Sequence, residues 1–182
     1  PTHTQVDLSV DDGKLESLLV GVDVVFHVAS YGMSGGAQLN KPKVQRVNVW
    51  GTQRLLAGCV ALGVSVLVYV SSYNVIFNGV EIFGGDETLA YTPDGEHVDE
   101  YSRTKCIAEQ LVLAADLTPT TITATTLQAS KAHASKTVHS KQPLHRLRTC
   151  AVRPAAIYGE GESRHFPRIV DLVNQGCVSG LG

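Results

Sequence analysis

Tyr101 and Lys105 stand four positions apart in the stretch YSRTK. On a helix that spacing puts both side chains on one face, one turn apart. A lysine ammonium held there favours the phenolate and lowers the tyrosine pKa from its ordinary value of about 10. Such a pair could exchange a proton with an alcohol or carbonyl near neutral pH. Spacing alone is a weak signal, because two common residue types fall four apart by chance, so the pair gains meaning only from the elements that hold it. His133, His139 and His145 also invite a chemical reading, but they sit in a Ser/Thr/Ala/Lys-rich tract without carboxylate or cysteine partners. No metal is expected there.

The elements follow from a repeated pattern in which apolar runs rich in β-branched residues alternate with helix-length amphipathic segments. HTQVDL reads as the end of a first strand, followed by a helix with Asp11 or Asp12 near its start, a Leu15/Leu18/Leu19 stripe and Gly21 at its end. VDVVFHVAS and VSVLVYVSS are apolar almost throughout, as parallel strands covered on both faces should be. Between them a Gly-rich loop leads to a helix over 43–62 closed by Gly63, and a second long helix over 99–115 carries Tyr101. LRTCAVRP reads as a further strand and 163–175 as a last helix. This alternation predicts an α/β fold, a Rossmann-type doubly wound parallel sheet with right-handed crossovers. The stretch 117–147 breaks the rhythm: it is far too long for an ordinary connection and is expected to be a disordered surface insertion.

Composition narrows the function classes. The 182 residues are 43% hydrophobic and 18% charged, enough for one globular domain with a sizeable core. A net charge of −2 without runs of like charge argues against a nucleic-acid surface or a polybasic membrane patch. VSVLVYV, the longest apolar run, is too short to span a bilayer. Cys59, Cys106, Cys150 and Cys177 are far apart and lack metal-ligand spacing, so reduced thiols are expected.

In open parallel sheets ligands bind beyond the carboxyl ends of the strands, where Ala29, Ser30, Ser71, Ser72, Ala155 and Ala156 fall. Asn48 is a polar residue amid Val44, Val47 and Leu55, and a buried amide there needs a partner. With these residues in place, the chain resembles the extended short-chain dehydrogenase/reductases. The resemblance rests on DVVFHVAS, NVWGTQRLL, VYVSSYNV, YSRTK and RPAAIYGEGE, in family order and near family spacing. VFHVASYGMSG and HVDEYSRTKCIAEQL are similar to the 3β-hydroxysteroid dehydrogenase/isomerase branch, and within it to family 42E.

The resemblance implies roles residue by residue. Tyr101 becomes the general acid or base at the carbinol oxygen, and Lys105 lowers its pKa and hydrogen-bonds the nicotinamide ribose. Ser72 steadies the substrate oxygen, with Ser71 as the fallback, and Asn48 supports a water relay to the lysine. Asp7, with Leu8 beside it, faces the adenine of the cofactor; Ala29 lines the cleft; Pro154 and Ala155 lie near the nicotinamide. The implied cofactor is NAD or NADP, with NAD favoured, and the implied substrate is a secondary alcohol, a 3β-hydroxysteroid or similar sterol in steroid biosynthesis. His27 is expected in the core rather than in catalysis.

The resemblance also implies a strand, a Gly-rich turn and a helix for the pyrophosphate, and no such turn precedes the first strand. The expectation is therefore a partial dinucleotide-binding domain over 1–182, lacking two strands, the Gly-rich turn and most of the substrate lobe, and inactive on its own. The competing expectations are a nucleotide-sugar epimerase or dehydratase of the same superfamily and a non-catalytic truncated remnant. For the longer protein the resemblance leaves room for a homodimer and for a cytoplasmic or endoplasmic-reticulum membrane-associated location.

Overall fold

The computed structural model of the chain describes residues 3–10, 12–120, 145–162 and 166–176. The β-branched runs form three strands, β1 (Val24–His27), β2 (Val66–Val70) and β3 (Arg148–Val152). They pair in parallel in the order β1-β2-β3, with Phe26 beside Val68 and Val68 beside Cys150. Parallel neighbours need long crossovers, and helices supply them: α1 (Lys14–Leu19), α2 (Lys41–Gln45), α3 (Gly51–Leu62), α4 (Glu100–Ala114) and α5 (Phe166–Asn174).

Local chemistry sets the helix ends. Asn40 accepts the Lys43 N–H at the start of α2, where Pro42 loses nothing by lacking a donor. Arg46–Trp50 then forms one π turn that joins α2 to α3, and Gly63, at φ 77°, closes α3 in the left-handed conformation that glycine adopts without strain. Asp99 caps α4 by accepting the Ser102 N–H. On α3, Gly58 admits α1, since a Cβ there would come within 2.7 Å of Leu19 Cδ1.

Alternation along the strands divides the sheet into two faces. Leu67 and Tyr69 point into a core with Leu15, Leu19, Leu55, Leu56, Cys59, Ala108 and Val112 from the helices. Side chains on the other face stand open: Val24, Phe26, Val28 and Val152 are all exposed, Phe26 at 69%. α5 buries none of its residues.

The expected strand over HTQVDL does not form. Residues 3–8 contain no strand; instead Val6 and Leu8 pack at the edge of the core, and the Arg54 guanidinium holds the Leu8 and Val10 carbonyls. A strand is made by the ladder to its neighbour, and β1 pairs only with β2 among the described residues.

Most of the expected insertion, with His133 and His139, lies outside the described residues, as does Cys177. Its two ends are ordered and zipped together. Leu117 N–H donates to Leu147 O at 2.7 Å, Leu147 N–H to Thr118 O at 2.9 Å and Thr120 N–H to His145 O at 2.9 Å. Leu147 itself is fully buried, so the extra sequence enters and leaves at one point beside the start of β3. Replacing 121–144 by a short Gly-containing turn should therefore leave the fold in place, because closure entropy depends only weakly on loop length. Thermal unfolding checks this: a melting temperature within a few degrees of the parent chain is expected, and loss of a cooperative transition would show that the segment packs.

His27 sits in the core as its apolar strand implies, 3% exposed. Its Nε2 lies 2.8 Å from Thr52 Oγ1, and Thr52 donates its own proton to Asn48 O at 2.6 Å. The hydroxyl can then only accept from the ring, which makes His27 the neutral tautomer protonated at Nε2. Burial, aided by the Lys105 charge, pushes its pKa down from 6.5 to about 4. The unfolded chain takes up this proton as pH falls through 6.5 and the folded chain only near 4. The stability due to neutral His27 is thus present above pH 6.5 and lost on descending towards pH 4, on the order of 3 kcal/mol in all. Urea midpoints between pH 7.5 and 4 should fall more steeply for the parent chain than for His27→Gln; parallel slopes would place the titration elsewhere.

Candidate functional site

α4 brings Tyr101 and Lys105 onto its buried face, 5% and 1% exposed. The same stripe runs on through Ala108, Glu109 and Val112, at the helical spacing of one face. Lys105 Nζ donates to Val70 O at 2.6 Å and lies 4.1 Å from the centre of the Tyr69 ring. The ammonium is therefore at the carboxyl end of β2, directly before Ser71 and Ser72. Burial draws the Lys105 pKa down from 10.5 to about 8, against the opposing pull of the Glu109 carboxylate. The phenol of Tyr69, buried beneath the cation, is pushed well above its ordinary range by desolvation first and by Tyr101 and Glu109 second.

The two serines differ in their bonds. Ser72 caps the short turn Tyr73–Ile76, its Oγ accepting the Asn74 N–H at 3.2 Å. Ser71 donates its backbone N–H to Val152 O at 2.8 Å, and its Oγ is buried without a partner among the described residues. Beside them, Tyr73 N–H donates to Pro154 O at 3.3 Å. This joins the chain leaving β2 to the Pro154–Ala155 segment leaving β3. Pro154 is half-buried, and Ala155 and Ala29 are exposed.

Asn48 lies in the π turn, 1% exposed. Its Oδ1 accepts Tyr31 N–H at 2.8 Å, and its Nδ2 donates to Tyr31 O at 3.0 Å and Thr104 Oγ1 at 3.0 Å. Both amide hydrogens are thereby used. The side chain ties the loop after β1, two residues beyond Ala29, to the α4 residue next to Lys105. Thr104 in turn donates to the carbonyl of Glu100 or Tyr101, 2.9 and 3.0 Å away.

Asp7 is exposed, and its Oδ1 accepts Ser9 N–H at 2.8 Å. The Ser9 side chain first and this backbone bond second, with smaller help from Lys43 and Arg46, lower its pKa. Leu8 packs against Gly51, where a Cβ would meet Leu8 Cβ at 3.0 Å. A cleft of about 520 Å³ opens nearby, lined by Ser9, Asn40, Lys43, Arg46 and Trp50 among others. It includes none of Ser72, Tyr101 or Lys105, and the strand-end geometry is the better guide to the chemistry. The structure thus gathers Ser71, Ser72, Lys105 and Pro154 at adjoining strand ends, with Tyr101 and Asn48 behind them. Asp7 bonds instead within its own turn, to Ser9.

Sequence reasoning passed over Thr104, Tyr69 and a buried ion pair, Glu109 with Arg153. Glu109 had a visible signal: a carboxylate on the apolar stripe of α4, one turn beyond Lys105. Thr104 had only its position beside the lysine. Among the described residues no three His, Cys, Asp or Glu side chains gather as a metal site, and no helix is long and apolar enough to cross a membrane.

Comparison with known proteins adds to this geometry. The chain matches the 3-beta hydroxysteroid dehydrogenase/isomerase family over residues 2–124 and 117–180, the two stretches meeting at the insertion. It is 49% identical over 155 residues to short-chain dehydrogenase/reductase family 42E member 1 of Mus musculus, covering 85% of this chain and 34% of the relative. To the 3 beta-hydroxysteroid dehydrogenase/Delta 5-->4-isomerase of Mycobacterium tuberculosis it is 32% identical over 189 residues, covering 100% of this chain and 44% of that protein. The chain spans about a third of the length of the family 42E relatives it matches. Among solved structures it shares its fold with MoeE5 in complex with UDP-glucose and NAD, at TM-score 0.65, 24% identity, 95% of this chain and 48% of the other. RMD from Pseudomonas aeruginosa complexed with NADPH gives TM-score 0.64 at 22% identity, over 98% of this chain and 52% of the other. These two likenesses establish the parallel α/β architecture, and the family match, which takes in every strand and the whole Tyr101–Lys105 helix, establishes the kinship: the chain belongs to the 3-beta hydroxysteroid dehydrogenase/isomerase family.

Proposed function

We propose that this chain supplies the proton-transfer side of a nicotinamide-dependent oxidoreductase site that oxidises a secondary alcohol, a 3β-hydroxysteroid or similar sterol. The observation that carries the reading is the buried Lys105 ammonium at the carboxyl end of β2, one turn from Tyr101 and adjoining the two serines. The sterol class is supported by the family and by the mycobacterial relative's name. The nucleotide-sugar enzymes share the fold at 24% identity or less, which bears on architecture alone.

The residues present fit one end of NAD or NADP. An ammonium has three N–H donors, and Lys105 spends one on Val70 O, leaving donors for the ribose hydroxyls. Asp7 offers an acceptor for an adenine amino group, while Ala29, Pro154 and Ala155, small or rigid, leave room at the strand ends. When bound, the nicotinamide accepts hydride; everything else falls to the side chains. Tyr101, as the phenolate that the Lys105 charge favours, takes the proton from the carbinol oxygen and becomes the phenol. Ser72 donates its hydroxyl to the same oxygen while its lone pair holds the Asn74 N–H. Asn48 keeps α4 in register with the loop after β1, which fixes where the phenol stands.

Turnover of a 3β-hydroxysteroid with NAD by the native protein carrying this chain tests the reading. Tyr101→Phe should lower kcat by roughly 10²–10⁴-fold with cofactor affinity little changed; retained turnover would remove Tyr101 from its role. Lys105→Ala should weaken turnover and cofactor binding together, and normal cofactor affinity would count against the ribose contact. Between the serines, Ser72→Ala should carry the larger loss of kcat. A loss confined to Ser71→Ala would move the role to the buried unpartnered hydroxyl.

A further inference from the structure

The buried charges on α4 do not end at Lys105. Glu109, 1% exposed, lies one turn further along the same face, and three donors from two other segments converge on one of its oxygens. Arg153 Nε and Nη2 reach Oε1 at 2.9 and 2.8 Å, and Tyr91 Oη at 2.9 Å. The Arg153 guanidinium also stacks 5.0 Å from the Tyr91 ring centre. Arg153 directly precedes Pro154, whose carbonyl holds Tyr73 beside the serines. One carboxylate therefore joins the helix bearing Tyr101 and Lys105, the end of β3 and the connection that contains Tyr91. Its other oxygen, Oε2, and Arg153 Nη1 are buried without partners among the described residues. That arrangement is costly as mere scaffolding, since a well-packed apolar pair of similar volume often serves stability as well or better.

We propose that Glu109 is a positioning residue for the site: anchored by Arg153 and Tyr91, its carboxylate supplies the countercharge that keeps the Lys105 ammonium protonated and seated at the end of β2. The significance for turnover rests on the oxidoreductase reading; the electrostatic role does not. Every group facing Lys105 bears on the case. From β1, His27 is neutral and adds no negative charge; from β2, Tyr69 presents a ring and Val70 a carbonyl. From α4, the groups are the Tyr101 phenol, the Cys106 thiol, which burial pushes up, and Glu109. Glu109 is the one carboxylate acting on the lysine among the described residues. Arg153, bound to Glu109 Oε1 through two nitrogens, fixes that charge in place.

The titration of Lys105 in the full chain, followed through its ¹³Cε resonance and assigned with Lys105→Arg, tests the proposal without any turnover. Glu109→Gln keeps the shape and removes the charge, so Lys105 should bind its proton about tenfold more weakly. Glu109→Asp, which keeps the charge, should restore most of that loss. Tyr91→Phe removes one of the two anchors of that carboxylate while leaving its charge, so Lys105 should bind its proton measurably more weakly, though less so than in Glu109→Gln. This milder change keeps the test open even where Glu109→Gln does not fold. A Lys105 titration unchanged within about twofold in Glu109→Gln, or left unaltered by Tyr91→Phe, would overturn the proposal and leave the roles of Tyr101 and Lys105 in turnover untouched.

Discussion

An ammonium taken out of water loses several kcal/mol of hydration, and the site is arranged around keeping one there. Lys105 is among the most buried side chains of the chain. It is met by the Val70 carbonyl, by the face of the Tyr69 ring and, one turn away, by Glu109. Glu109 is itself buried and needs Arg153 and Tyr91. Each partner solves the desolvation problem of the one before it, and together they draw on β2, α4, the residue after β3 and the connection that carries Tyr91. A single charge on α4 thus dictates which ends of β2 and β3 must lie against that helix. The balance leaves Lys105 with a pKa of about 8, where a modest change in its surroundings alters how much positive charge it carries.

A second chain of necessity runs through Asn48. A side-chain amide without access to water must find partners for its donors and acceptor, and the π turn directs it to the Tyr31 backbone and Thr104. The result couples the loop after β1 to α4 by hydrogen bonds rather than by close packing alone. Its backbone carbonyl accepts Thr52, which in turn receives His27. Neutral His27, lodged between Tyr69 and Thr52, completes the link from β1 to the helices. These bonds are short, buried and directional, so they hold the strand ends in register more narrowly than apolar contacts would.

The parts that sequence made legible are those whose signals are local. Apolar runs marked β1, β2 and β3, the helix read over 99–115 met α4 within a residue at each end, and the four-residue step put Tyr101 and Lys105 on one face. What it hid depends on chain segments far apart meeting in space. Nothing in Tyr91, in an irregular connection, points to Glu109 18 residues on, and Arg153 reads as the end of an apolar run. The π turn has no composition of its own. The first strand failed for a related reason: HTQVDL has the propensity, but a strand is a relation between two segments, and among the described residues no neighbour lies beside it. The insertion was visible as an anomaly of composition, whereas its zipped base, with Leu147 wholly buried, could not be read from residues that look alike along the tract.

The sheet shows why the buried charged and polar groups gather on one of its sides. Strand alternation sends Leu67 and Tyr69 to the side packed by α3 and α4, and Val24, Phe26, Val28 and Val152 to the open side. Everything that handles charge lies with the first set: Tyr69 is the residue beneath Lys105, His27 shares its face, and Glu109 and Tyr101 come down from α4. The open side is largely apolar, although Arg148 and Cys150 alternate onto it with Val152 along β3. Parallel sheets are ordinarily covered on both faces, so the bare valines bear on solubility and on what packs against this chain. The geometry of Tyr101, Lys105 and Glu109 is fixed independently, by the side that this chain clothes itself.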